Sequence, residues 1–195
     1  MLAAVILSGG QSSRMGSPKA LLRFQGKTFL EHLVAVTRHA QISVRRIVLG
    51  PDAGAITEAL ALPSGDIVIN PDWQLGQLSS IHAAVRSLPP GTDGMLLCLV
   101  DHPLVSAELV GQLVEAFYAT RKGIVLPVCG GRRGHPVIFS ANVYDELLAA
   151  PLDQGARAVV WAHTHDLAEV PTADEGCLWN VNDPATLANL TDVSG

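Results

Sequence analysis

Residues 7–19 read Leu-Ser-Gly-Gly-Gln-Ser-Ser-Arg-Met-Gly-Ser-Pro-Lys, and their types and spacing suit the binding of a polyphosphate. A glycine pair, two serines and a third glycine let the backbone turn closely around a ligand, and Arg14 and Lys19 bring cations to the same place. The charge pattern agrees. The chain carries a net charge of −5, yet Arg14, Lys19, Arg23 and Lys27 all precede the first acidic residue, Glu31. A chain that repels anions in bulk but keeps its first segment cationic suits a local anion site, not a nucleic-acid surface. The segment is not a P-loop, because no Gly-Lys-Ser/Thr follows the glycines. It also lacks the spacing of a dinucleotide fingerprint.

Further polar residues stand where apolar runs end. Asp101 follows the most continuous apolar run of the chain, and a carboxylate there is placed to hold Mg²⁺ against a nucleotide phosphate. The competing reading is a turn or cap aspartate before Pro103. Asn180, Asn182 and Asp183 offer oxygen donors ahead of a helix expected over 185–190, with capping as their alternative role. Asn70-Pro71-Asp72, followed by Gly76-Gln77-Leu78-Ser79-Ser80, forms a second polar loop. There Gln77, Ser79 and Ser80, with backbone N–H groups at a helix start, suit a nucleobase edge or a phosphate, against simple N-capping by a serine. Trp73 in that loop is read as packing. The segment 130–136, Gly-Gly-Arg-Arg-Gly-His-Pro, is a glycine turn that presents Arg132, Arg133 and His135 to an anionic second substrate. His135 fits a base, a donor or a buried structural role. Arg157, after the polar turn at 153–156, is expected to reach the same anion.

The elements that must position these residues read as alternating strands and helices. Strands are expected over 3–7, 46–49, 66–69, 94–100 and 123–128, with shorter ones over 136–139 and 167–170. Helices are expected over 28–40, with Thr28 as N-cap, and over 56–62, 80–88 and 107–120. This alternation implies an α/β, Rossmann-like, doubly wound and mostly parallel sheet in a single domain spanning 1–195. Residues 1–128 would form the nucleotide half and 129–195 an acceptor-side region completing the site. With 195 residues, of which 48% are hydrophobic and 16% charged, one substantial core is affordable. Cys98, Cys129 and Cys177 are odd in number and widely spaced, which argues against a disulfide framework or a zinc site. A reducing cytoplasm is expected, with no signal peptide and no membrane span.

In order and spacing these motifs resemble the molybdenum-cofactor nucleotidyltransferases, a branch of the nucleotide-diphospho-sugar transferase-like fold. Their opening L-[AS]-[AG]-G-x-S-x-R-M-G-x-x-K is similar to residues 7–19. The resemblance implies triphosphate binding through Leu7, Ser8, Gly9, Gly10, Ser12, Ser13, Arg14 and Lys19. It places the metal aspartate on Asp101 and a second Mg²⁺ ligand on Asn182. The cytidylyltransferase members carry N-P-[DE]-x3-G-x2-[ST]-S and G-x2-G-H-P, which look like 70–80 and 131–136. Gly9, by contrast, is the guanylyltransferase type, and Asn180 stands where many cytidylyltransferases have aspartate.

The implied reaction is Mg²⁺-dependent transfer of a nucleotide, with CTP favoured over GTP, to the terminal phosphate of a phosphorylated pterin. Pyrophosphate leaves, Arg14, Lys19 and Asp101 carry the catalysis, and a molybdoenzyme is the partner that receives the product. Neither nucleic acid nor membrane is expected as a partner. The alternatives are a sugar-phosphate or other small-molecule nucleotidyltransferase, a guanylyltransferase, and a non-catalytic carrier of the cofactor. A nucleotide-dependent redox protein ranks lower for want of the dinucleotide fingerprint.

Overall fold

The computed structural model describes residues 1–10, 16–183 and 185–188. Every residue of β1 (Leu2–Ser8) is buried. The two-residue strands β2 (Arg23–Phe24) and β3 (Lys27–Thr28) form a small hairpin before α1 (Phe29–Val36). Then come β4 (Ile42–Leu49), α2 (Ala53–Ala59), β5 (Ile67–Ile69), α3 (Gln77–Ser87), β6 (Gly94–Leu99) and α4 (Ala107–Thr120). The remainder holds β7 (Ile124–Cys129), β8 (Arg132–Arg133), β9 (Val137–Ser140), α5 (Tyr144–Ala149), α6 (Arg157–Ala162) and β10 (Leu167–Pro171).

The main sheet runs β10-β7-β9-β6-β1-β4-β5, with β8 paired to β7. β1 lies parallel between β4 and β6, and β5 continues parallel beside β4. Between β6 and β7 lies β9, antiparallel to both, while β10 returns parallel to β7. The sheet is therefore mixed and mostly parallel. Strands from both halves of the sequence share it.

Both faces of the sheet are covered, which is why β1 and β6 read as unbroken apolar runs instead of alternating ones. Alternate side chains divide between two cores. Leu2, Ile6, Leu96 and Cys98 pack with Phe29 and Leu33 of α1 and Leu109, Leu113 and Phe117 of α4. Val5, Leu7, Met95 and Leu97 pack on the other face with Leu78 and Ile81 of α3 and Leu147 of α5.

Local signals set the helix ends. Thr28 and Glu31 form a capping box at α1, each side chain holding the other's backbone N–H, so the expected N-cap is present. The helix stops at Val36, short of the expected 40, with the Thr37 hydroxyl turned back onto the Leu33 carbonyl at 2.7 Å. Ser106 caps α4 by accepting from the Leu109 N–H at 3.0 Å. In place of the expected start at 80, α3 begins at Gln77, where Gly76 at φ 91 makes the entry. Neither serine caps it. The expected strand at 46–49 starts earlier, at Ile42, because its half-exposed first residues lack a continuous apolar signature.

Gly50 ends β4 against the glycine loop, where an added Cβ would stand 2.2 Å from the Gly9 carbonyl oxygen. Backbone cannot yield there as a side-chain tip can. Gly50→Ala is expected to cost about 1–3 kcal/mol by overpacking, read as a lower urea midpoint with an unchanged m-value.

Candidate active site

In an open α/β sheet, ligands sit beyond the carboxyl ends of the strands where chain direction reverses. Here that point lies between β1 and β6, since β4 and β5 extend the sheet to one side of β1 and β6 to the other. The strand ends are kept level by the pairing of Leu7 with Leu99 and by the Val100 N–H donating to the Leu7 carbonyl at 3.1 Å. A cleft opens over them. It is lined by Leu7, Ser8, Gly9 and Gly10 after β1, by Pro18 and Lys19, and by Asp52 after β4. Trp73, Gly76, Gln77 and Ser80 after β5 and Asp101 after β6 close the remaining side. Arg14, Ser12 and Ser13 lie outside the described residues.

At one end of the cleft the Lys19 ammonium stands 3.4 Å from Asp101 Oδ2 and donates a short hydrogen bond to Asn182 Oδ1. Two oxygens from residues far apart in sequence thus converge on a single cation. The Lys19 and Asp101 side chains are only 18% and 21% exposed, so the charges meet in partial shelter from solvent. Asn182 is delivered there by tight anchoring of its segment. The Val181 N–H donates to the Asp101 carbonyl at 2.8 Å, and the Val181 side chain is fully buried. Farther back, the Asp174 carboxylate accepts from the N–H groups of Ser106 at 3.1 Å and Gly176 at 2.8 Å.

One carboxylate and one amide oxygen form an incomplete donor set for a divalent cation. Among the described residues no group of three His, Cys, Asp or Glu side chains converges on a metal position. Mg²⁺ fits such a pair, because it takes few protein oxygens and fills its octahedron with phosphate oxygens and water.

The opposite end of the cleft is built by Asn70. Its amide Nδ2 donates to Ser79 Oγ at 2.9 Å and to Ser80 Oγ at 3.0 Å, and all three residues are buried. Ser79 donates its own hydroxyl to the Asp72 or Gly76 carbonyl. Ser80 accepts from Asn70 and lines the cleft, and its O–H hydrogen has no acceptor among the described residues. A Cβ on Gly9 would fall 2.5 Å from Ser80 Oγ. Gly9 and the pinned serine therefore require each other. The sequence assigns neither Asn70 nor Asp52 as a ligand contact, although Asn-Pro-Asp after an apolar run marks the loop that holds Asn70.

A second cavity of about 440 Å³ adjoins the first, with Gln77 lining both. Arg133, His135 and Arg157 line it together. Arg132 does not. It precedes Arg133 on β8, where successive side chains point to opposite faces, and lines a different hollow with Glu175, Trp179 and Asn180. Arg133 is held by Glu169 at 2.7 Å.

His135 lines the second cavity, and its ring packs 4.9 Å from that of His102, the neighbour of Asp101. Burial pushes both below the ordinary imidazole value. For His102 this is opposed by Asp101 and by a hydrogen bond to the Cys177 carbonyl. His135 is pushed down to about 4 by burial first and by His102 second. Each Nδ1 is buried without a hydrogen-bond partner among the described residues. His135 is thus a neutral imidazole near pH 7, fitted to donate or accept but not to act as a cation.

Because the unfolded chain takes up that proton near the ordinary 6.5 and the fold only near 4, the stabilisation from neutral His135 is complete above about 6.5. It is lost as pH falls towards 4. His135→Gln is expected to shrink the loss of stability between about pH 7 and pH 5 by about 2 kcal/mol, measured by urea unfolding at both values.

Comparison with known proteins adds the lineage. The curated relatives include the bifunctional protein GlmU of Rhodopseudomonas palustris, 30% identical over 155 residues, which cover 77% of this chain but 33% of that protein. The chain therefore spans about a third of the length of such relatives. Over fuller lengths, it is 31% identical to nicotine blue oxidoreductase of Paenarthrobacter nicotinovorans, covering 78% of each. It is 29% identical to the molybdenum cofactor guanylyltransferase of Cupriavidus pinatubonensis, covering 93% and 92%. Among solved structures, Rv0371c of Mycobacterium tuberculosis H37Rv superposes with a TM-score of 0.84 at 27% identity, covering 98% and 97%. Its manganese complex gives 0.77 at 25% identity, covering 98% of each. The model of the MobA-like NTP transferase domain matches residues 4–167, and the chain belongs to that family.

Proposed function

We propose that the chain is a nucleotidyltransferase that moves a nucleotide from an NTP, CTP in the first instance, to the terminal phosphate of molybdopterin or its molybdenum-loaded form, releasing pyrophosphate. The observation that carries the reading is the convergence of Asp101 and Asn182 oxygens on the Lys19 ammonium at the mouth of a glycine-lined cleft. In this reading the ammonium stands where a divalent cation binds alongside a nucleotide. The manganese complex of the Rv0371c protein and the name of the guanylyltransferase relative support it.

Asp101 and Asn182 would hold Mg²⁺, which when bound neutralises phosphate charge and orients the reacting phosphorus. The chain's own residues do the rest. Backbone N–H groups of Gly9 and Gly10, with Lys19 and Arg14, receive the triphosphate. Ser80 donates to the base, and cytosine presents adjacent acceptors in O2 and N3. Gln77, at the junction of the two cavities, faces both substrates. The acceptor lies in the second cavity, its charge met by Arg157, Arg133 and a neutral His135. No protein nucleophile is needed, because the acceptor phosphate is already ionised and positioning supplies the advantage. The nucleotide cleft belongs to the 1–128 half, and residues 129–195 complete the site with the acceptor cavity and Asn182.

The likeness to nicotine blue oxidoreductase favours a nucleotide-dependent redox enzyme as the second reading. Oxidation of NADH or NADPH by the purified chain separates the two.

Pyrophosphate release with molybdopterin, offered CTP and GTP in parallel, tests the proposal. Release with CTP alone establishes it, GTP alone reverses the base assignment, and neither overturns it. Addition of EDTA is expected to abolish the reaction and added Mg²⁺ to restore it. Lys19→Ala is expected to lower kcat by about 10²–10³ in the same assay. Gly9→Ala drives Ser80 Oγ off Asn70 and is expected to raise the KM for the NTP by about tenfold, equivalent to about one lost hydrogen bond, while leaving the acceptor KM unchanged.

A further inference from the structure

The second cavity carries a feature that charge alone does not explain. Trp161 lines it while 60% exposed, and Leu152, also lining it, is 45% exposed. Large apolar side chains at that exposure forgo burial that the fold could otherwise use. Here two of them flank one concave surface whose floor is made of buried strand side chains, among them Leu97 and Phe139. Arg157 precedes Trp161 by four positions on α6, which puts guanidinium and indole on the same face of the helix. Arg157 makes no ion pair among the described residues, whereas Arg133 on the same cavity is held by Glu169. An apolar flat ring and an uncommitted cation thus stand side by side over an apolar floor.

We infer that Trp161 determines acceptor specificity by stacking on a flat conjugated ring, with Arg157 beside it holding the acceptor's phosphate. The inference rests on the proposed function and deepens it by naming the ring as what the site selects. Indole presents a wide face at little conformational cost, and stacking on it tolerates substituents at the ring edge. A sugar phosphate would satisfy Arg157 equally but leave the indole largely uncovered. Discrimination between flat and saturated acceptors therefore falls to Trp161 and not to the cation.

The test is calorimetric titration of the wild-type chain, Trp161→Ala and Trp161→Phe with a pterin monophosphate and, separately, with glucose 1-phosphate, in the absence of NTP. The wild type is expected to bind the pterin phosphate about tenfold more tightly than the sugar phosphate. Trp161→Ala should erase that preference with an unchanged Tm, and Trp161→Phe should retain most of it. In turnover, Trp161→Ala should raise the acceptor KM about tenfold and leave kcat and the NTP KM as they were. A preference that survives Trp161→Ala overturns the inference, as does a wild type that does not bind the pterin phosphate. A dimer that dissociates on Trp161→Ala also overturns it, since a second copy would then cover the indole. Binding is read without nucleotide, so absence of pyrophosphate release would sink the proposed reaction while leaving this measurement decisive.

Discussion

Burial of β1 between β4 and β6 is the constraint from which the site follows. Seven consecutive buried residues leave this strand no alternative register, because a slip of one would exchange every side chain between two differently shaped cores. Once Leu7 is opposite Leu99, the glycine turn after β1 and Asp101 after β6 must emerge side by side. The geometry of the cleft is then a by-product of core packing. Its chemistry is added by residues that have no role in that core.

Two supports then act from opposite sides. Asn70 fixes the serine pair of α3 through one amide group, and Gly9 leaves room for the serine so held. Val181, buried and bonded to the Asp101 carbonyl, brings Asn182 up to Lys19. Both are short polar connections made by groups with few remaining degrees of freedom, which keeps the ordering cost at the site low. The histidine pair beside the second cavity is different in kind. Burial pushes both imidazoles below the ordinary value, and each Nδ1 has no hydrogen-bond partner among the described residues.

Much of this was legible in the sequence, for reasons that can be stated. A strand covered on both faces must be apolar throughout, so β1 and β6 stood out, and a polar residue directly after such a strand had to lie at its carboxyl end. Capping chemistry is local, so Thr28 could be read. The antiparallel insertion of β9 could not, because Val-Ile-Phe-Ser looks the same whichever way a buried strand runs. The separation of Arg132 from Arg133 depended on β8 being extended, which two residues cannot announce. The meeting of Lys19 with Asn182 spans 163 positions and no local pattern encodes it; the resemblance pairs Asn182 with Asp101 and not with the lysine. An aromatic at helical spacing ordinarily belongs to a core, so the exposure of Trp161 is a property of the fold alone.

The anchoring of Asn182 through Val181 also has a temporal side. Lys19 and Asp101 are made well before the amide oxygen that meets Lys19, which lies 163 positions after the lysine. Closing so large a loop must await the packing of nearly everything between. A growing chain can therefore level the strand ends beside Asp101 while it still lacks the second oxygen there. The oxygen pair beside Lys19 is thus complete only once the segment around Val181 has packed, so its assembly depends on all of the fold that lies between.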